Sequence, residues 1–77
     1  MDLSQLRKGE NARVLNLSQG CTLRRRLQDL GLIPGTCLRC LYIAPAGSPA
    51  VYLIRGAMVA LRRCDAKNVM VEPATWD

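Results

Sequence analysis

Seventy-seven residues, 49% of them apolar and 22% charged, suffice for one hydrophobic core over residues 1–77 and exclude a second domain, a collagen-like repeat and a disordered, poorly hydrophobic chain. Eleven Lys plus Arg against six Asp plus Glu leave a net charge of +5, which favours acidic partners, whether nucleic acid, anionic lipid or an acidic protein face. There is no histidine, so the usual general base at neutral pH and the commonest transition-metal ligand are both missing, and no catalytic residue, metal ligand or cofactor is expected.

The opening, Met1 to Leu6, has neither a basic nor an apolar export segment, and no apolar run approaches the ~18 residues of a membrane-spanning helix. A cytoplasmic location without membrane insertion is expected, where thiols stay reduced and four cysteines do not imply disulfides. Ser4 is placed to cap a short first turn. Ala12 to Leu17 alternates as a half-buried strand, with Ala12 and Val14 on one side and Arg13, Leu15 and Leu17 on the other. A helix then runs from Cys21 and Thr22 to a stop at Gly31, where Leu32 can fold back and Pro34 forbids continuation. At ~100° per residue, Leu23, Leu27 and Leu30 fall within about 60° of one another, Arg25 points away from them, and Arg24 and Arg26 flank the stripe.

Thr36 to Ala44 reads as a long strand, and Pro45-Ala46-Gly47-Ser48-Pro49 as a loop. Val51 to Arg55 and Met58 to Arg63 form a hairpin joined at Gly56-Ala57, and Asp65 to Asn68 is turn chemistry before a last strand, Val69 to Glu72. Five short strands with one amphipathic helix between the first two make a mostly β fold, a small barrel whose core, without any Phe, must be largely aliphatic.

Cys37-Leu38-Arg39-Cys40 has the spacing of zinc ribbons and redox sites, but inside a strand its two thiols face opposite sides about 10 Å apart, which suits small packed side chains better than a shared metal. Arg24, Arg25 and Arg26 cannot share one helix face and form a basic collar, with Asp29 at i, i+4 from Arg25. Arg62-Arg63 adds a second basic cluster. Nucleic-acid binding is disfavoured by aromatics as scattered as Tyr42, Tyr52 and Trp76. Gly31 and Gly35 follow a helix instead of opening one, so they end it and cradle no phosphate.

Leu3-Ser4-Gln5-Leu6, Gly9-Glu10 and Ala12-Arg13-Val14, then Leu23-Arg24-Arg25-Arg26-Leu27-Gln28-Asp29-Leu30-Gly31-Leu32-Ile33-Pro34-Gly35, resemble the bacterial ferrous iron transport protein A (FeoA) family. Ala44-Pro45-Ala46-Gly47-Ser48-Pro49 is similar to that family's Ala-Pro-x-Gly-Asp-Pro loop, and Ala60-Leu61-Arg62-Arg63 to its Ala-Leu-Arg-Arg strand. The resemblance covers nearly the whole chain. It implies a five-stranded SH3-like barrel and a non-enzymatic accessory role toward the membrane-bound, GTP-hydrolysing ferrous iron transporter.

On that reading the partner is the transporter's cytosolic part, met by Arg24, Arg25 and Asp29 of the collar, by Gly31, Pro34 and Gly35 of the turn, and by Pro45, Gly47 and Pro49 of the loop. The alternatives are a small basic nucleic-acid-binding barrel and a cysteine-based metal or redox module. Free strand edges on so small a barrel also allow weak self-association. Two features depart from the family pattern: Ser48 stands where the family often has Asp, which removes a carboxylate from the loop, and the cysteines outnumber what the pattern requires.

Overall fold

The structure is a computed structural model that describes residues 1–18 and 24–74, so Cys21, Leu23 and Trp76 lie outside the described residues. A 3-10 turn, Leu3–Gln5, opens the chain. Strand β1 (Asn11–Leu17), helix α1 (Arg24–Asp29), strands β2 (Cys37–Ile43), β3 (Ala50–Ile54) and β4 (Ala57–Leu61), helix α2 (Arg63–Ala66) and strand β5 (Val69–Pro73) follow. The strands form one antiparallel sheet in the order β4-β3-β2-β1-β5, so the mostly β class, the five strands and the helix between the first two are all present. The sheet is not closed: β4 and β5 are its two edges.

Several local expectations change. The first turn is capped by Asp2, whose carboxylate accepts the Ser4 N–H at 2.9 Å while the Gln5 side chain accepts the Asp2 N–H at 2.9 Å, a reciprocal box that Ser4 as cap would not form. In β1, Val14 faces Val71 but Asn16 faces Met70, so Leu15 is an extra residue bulged out of the ladder. That slip changes the phase of the strand. Leu17, expected beside Arg13 and Leu15, is instead buried with Ala12 and Val14, while Leu15 is exposed. A second slip between Cys40 and Tyr42 inserts Leu41 in β2, leaving Tyr42 in solvent and Ile43 packed against the core.

The hairpin turn is Arg55-Gly56 instead of Gly56-Ala57. Ile54 faces Ala57, and both turn residues have positive φ, 52° and 84°, the requirement of a two-residue loop that follows the sheet's right-handed twist. Arg62 and Arg63 leave β4, and Arg63–Ala66 form a helical turn where only turn chemistry was expected.

The core lies between the curled sheet, the first turn and α1. Leu3, Leu6, Val14, Leu27, Leu32, Leu38, Ile54, Val69 and Val71 are buried, together with Cys40 and Tyr52. It is aliphatic as expected, with Tyr52 the one aromatic side chain buried among the described residues. Its hydroxyl is satisfied by donating to the Leu3 carbonyl at 3.4 Å. Burial pushes the Tyr52 hydroxyl up to about 12, with Cys40 and Asp2 adding to the same direction.

Candidate functional site

Helix α1 ends in a complete Schellman arrangement. The Leu32 N–H donates to the Leu27 carbonyl at 3.1 Å and the Gly31 N–H to the Gln28 carbonyl at 2.9 Å, with Gly31 at φ +101° between them. Leu32 and Leu27 are both buried, so the fold-back that closes the helix also seats it on the core. The consequence for the collar is orientation: with Leu27 inward, Arg24, Arg25, Arg26 and Asp29 all stand in solvent. Arg25 and Asp29 do not pair. The ion pairs among the described residues are Arg13–Glu72 at 3.4 Å and Arg62–Asp65 at 3.6 Å, neither of which involves an α1 cation.

Gly31 is buried, and a Cβ there would lie 3.3 Å from Ile54 Cγ2 and 2.8 Å from Arg55 Cδ, so the helix terminus rests on the β3–β4 turn. Pro34 and Gly35 are exposed, in a turn stitched to β1 by the Gly35 N–H on the Val14 carbonyl and the Val14 N–H on the Thr36 carbonyl, each at 2.8 Å. Of the six expected contacts in this segment, Gly31 is therefore inside while Arg24, Arg25, Asp29, Pro34 and Gly35 are exposed.

The loop holding Pro45, Gly47 and Pro49 lies elsewhere. It follows the far end of β2, and seven strand residues at ~3.4 Å each put it about 20 Å from the Pro34-Gly35 turn. Pro45 and Pro49 are exposed and Gly47 is half-buried. The loop is closed by the Gly47 N–H on the Ala44 carbonyl at 2.7 Å and the Ala44 N–H on the Pro49 carbonyl at 3.1 Å. Ser48 holds the loop to α2, because its Oγ accepts the Arg63 N–H at 3.1 Å, satisfying a donor in the first turn of α2 that its cap residue Arg62 leaves without a side-chain partner. An oxygen acceptor is what the position needs, and Ser supplies one as Asp would. Beside the loop, Arg7, Gly47 and Arg63 line a cleft of about 180 Å³ that reaches Tyr52. The Pro34-Gly35 turn and the loop are thus at opposite ends of β2.

A third feature was not expected. A groove of about 430 Å³ lies between α1 and β4, lined by Leu27 and Leu30 of the helix and by Met58 to Leu61 of the strand, with Arg26, Arg62 and Asp65 completing it. It brings a collar arginine beside one of the second basic cluster, which sequence spacing could only suggest. Met58 is 76% exposed there. The signal for this groove was present in Ala57-Met58-Val59-Ala60-Leu61, an all-apolar strand, but its meaning depended on β4 being an edge.

The three described cysteines, Cys37, Cys40 and Cys64, form no disulfide with one another. Cys40 is buried, which raises its thiol pKa despite an opposing backbone hydrogen bond at Tyr42; Cys37 is half-buried and Cys64 exposed. Among the described residues no three of His, Cys, Asp and Glu come together as a metal site, and no helix is long and apolar enough to cross a membrane.

A family model described as the FeoA domain matches residues 1–73. The chain is 32% identical over 72 residues to a Fe(2+) transport protein A/Fe(2+) transporter FeoB fusion protein of Porphyromonas gingivalis, covering 94% of this chain and 8% of that relative. Among solved structures, the FeoA protein of Chlorobium tepidum superposes with a TM-score of 0.88 at 36% identity, over 100% of this chain and 73% of that one. Stenotrophomonas maltophilia FeoA in complex with zinc, described as a prokaryotic SH3 domain protein and advanced as a ferrous iron transport activating factor, gives a TM-score of 0.83 at 30% identity, over 94% and 89%.

Proposed function

Because the chain belongs to the FeoA domain family, we propose that it serves ferrous iron uptake as a non-enzymatic docking module on the cytosolic part of the membrane-bound, GTP-hydrolysing ferrous iron transporter. The observation that carries this reading is the Porphyromonas gingivalis relative, a fusion protein in which a segment similar to 94% of this chain is joined to the transporter. A fusion holds two partners at high effective concentration, and their contact still needs a complementary surface.

The cations of α1, which enter no ion pair among the described residues, supply such a surface. Arg24, Arg25 and Arg26 are exposed and carry none of the ion pairs among the described residues, so an acidic partner face meets them without first breaking an internal bond. Pro34 and Gly35 are exposed on a turn already fixed by backbone hydrogen bonds, which keeps the ordering cost of contact small. The loop of Pro45, Gly47 and Pro49 forms a contact separate from the Pro34-Gly35 turn, since it lies about 20 Å from that turn along β2.

Pull-down and calorimetry with the transporter's purified cytosolic part test the reading. The double substitution Arg24→Glu and Arg25→Glu is expected to leave the fold intact, both side chains being exposed, and to weaken binding at least about tenfold. Unchanged affinity removes the collar from the interface, and no binding by the unmodified chain removes the docking role.

A further inference from the structure

The two edges of the sheet are treated differently. The β5 edge is covered by the chain's own start: the Val71 N–H donates to the Met1 carbonyl at 2.9 Å, and Asp2 forms a bridge with Met70. Among the described residues nothing pairs with the outer side of β4. Nor does β4 carry the usual protections of an edge. It has no Pro, no Lys and no inward charge, its register with β3 runs without a bulge, and all five of its residues are apolar.

The turn fixes which β4 groups are free. With Arg55-Gly56 as a two-residue loop, Ile54 and Ala57 exchange backbone hydrogen bonds, and alternation makes Tyr52–Val59 and Ala50–Leu61 the next bonded pairs. Met58 and Ala60 therefore turn their N–H and C=O groups outward, along the groove walled on its other side by Leu27 and Leu30. An extended chain laid in the groove meets two donors and two acceptors on one flank and apolar side chains on the other.

Charge decides what kind of chain fits. Arg26 and Arg62 line the groove, Arg24 and Arg25 stand on the same helix, and the whole molecule is +5. Asp65, the one carboxylate in the lining, is engaged by Arg62 at 3.6 Å. Two copies joined edge to edge would bring these cationic groups together, whereas a segment with acidic residues flanking an apolar stretch neutralises them.

We propose that the β4 edge accepts an extended segment of the transporter's cytosolic part, apolar at alternate positions and flanked by acidic residues, as a sixth strand in the groove beside α1. This rests on the docking role above and specifies its mode. Binding of the purified cytosolic part to the full chain is compared across three variants. Ala60→Pro deletes an outward N–H that β3 does not use, a change an edge strand tolerates. Met58→Glu puts a like charge opposite the acidic segment, and Ala60→Thr keeps the backbone donor.

Ala60→Pro and Met58→Glu are each expected to weaken binding about tenfold or more, with Ala60→Thr within roughly twofold of the parent. Backbone amides of Met58 and Ala60 become protected from hydrogen exchange in the complex. If Ala60→Pro fails to fold, Met58→Glu and the exchange measurement decide. Parental affinity in Met58→Glu, unprotected amides, or a dimer of the free chain that Ala60→Pro dissociates overturns the strand-addition mode while leaving the docking role standing. No binding by the unmodified chain overturns both.

Discussion

The sharpest structural prediction concerns Gly31→Ala. Gly31 sits at φ +101°, outside the range an L side chain adopts comfortably, and an Ala there costs about 1–2 kcal/mol in backbone conformation alone. Its Cβ would also lie 3.3 Å from Ile54 Cγ2, in the core and with little room to withdraw, which adds about 1 kcal/mol of overpacking. The 2.8 Å approach to Arg55 Cδ adds little, because that atom belongs to an exposed flexible side chain. A loss of about 2–3 kcal/mol corresponds, for a domain of this size, to a fall in Tm of roughly 10–20 °C. Urea denaturation followed by far-UV circular dichroism measures it. A variant within about 0.5 kcal/mol of the parent refutes the reasoning. So does recovery of most of the loss by adding Arg55→Ala, which would relocate the cost to the side-chain contact. On the proposed docking role, affinity for the transporter's cytosolic part should follow the folded fraction, since Gly31 is buried.

Two further outcomes follow from the core and the first turn. Tyr52 holds its proton to about pH 12 when folded, against an ordinary value of 10.0, so between those values the native state binds more protons than the unfolded one. Stability therefore falls as pH rises through that window, by up to ~1.4 kcal/mol per pH unit, and urea midpoints measured at pH 9, 10.5 and 12 should drop more steeply for the parent than for Tyr52→Phe. Asp2→Ala removes the carboxylate cap of the first turn and loosens the segment that covers β5, with an expected loss of about 0.5–2 kcal/mol in the same denaturation assay. Amide exchange at Val71 should accelerate along with it; protection equal to the parent's would separate the cap from the edge cover.

The resemblance to the FeoA family and the fold it implied were legible because they rest on short-range features. Gly31 followed by Leu32 and Pro34 marks where α1 stops, and the observed bonds of Leu32 on Leu27 and of Gly31 on Gln28 form within six residues of chain. Cys37 and Cys40 were separable by strand pleat alone, since Cys40 turns inward with Leu38 while Cys37 stays half-buried. Where the expected contact residues sit in the fold was not legible: Gly31 is buried, and Pro45 to Pro49 lie about 20 Å along β2 from the Pro34-Gly35 turn. Burial and distance are properties of the assembled sheet, and neither is written in spacing.

The amino-acid sequence by itself determined the number and order of strands, the helix between the first two, the aliphatic core and the basic collar, because alternation, helical period and turn chemistry act over a handful of neighbours. Only the tertiary structure decided the phase of β1 and β2, where one extra residue in each ladder sends Leu17 inward and Tyr42 out. It alone chose Asp2 over Ser4 as the cap, covered β5 with the first two residues and left β4 bare beside Arg26 and Arg62. Which strand becomes an edge, and which distant charges border it, depends on pairings between residues far apart in the chain, and those are settled when the core closes.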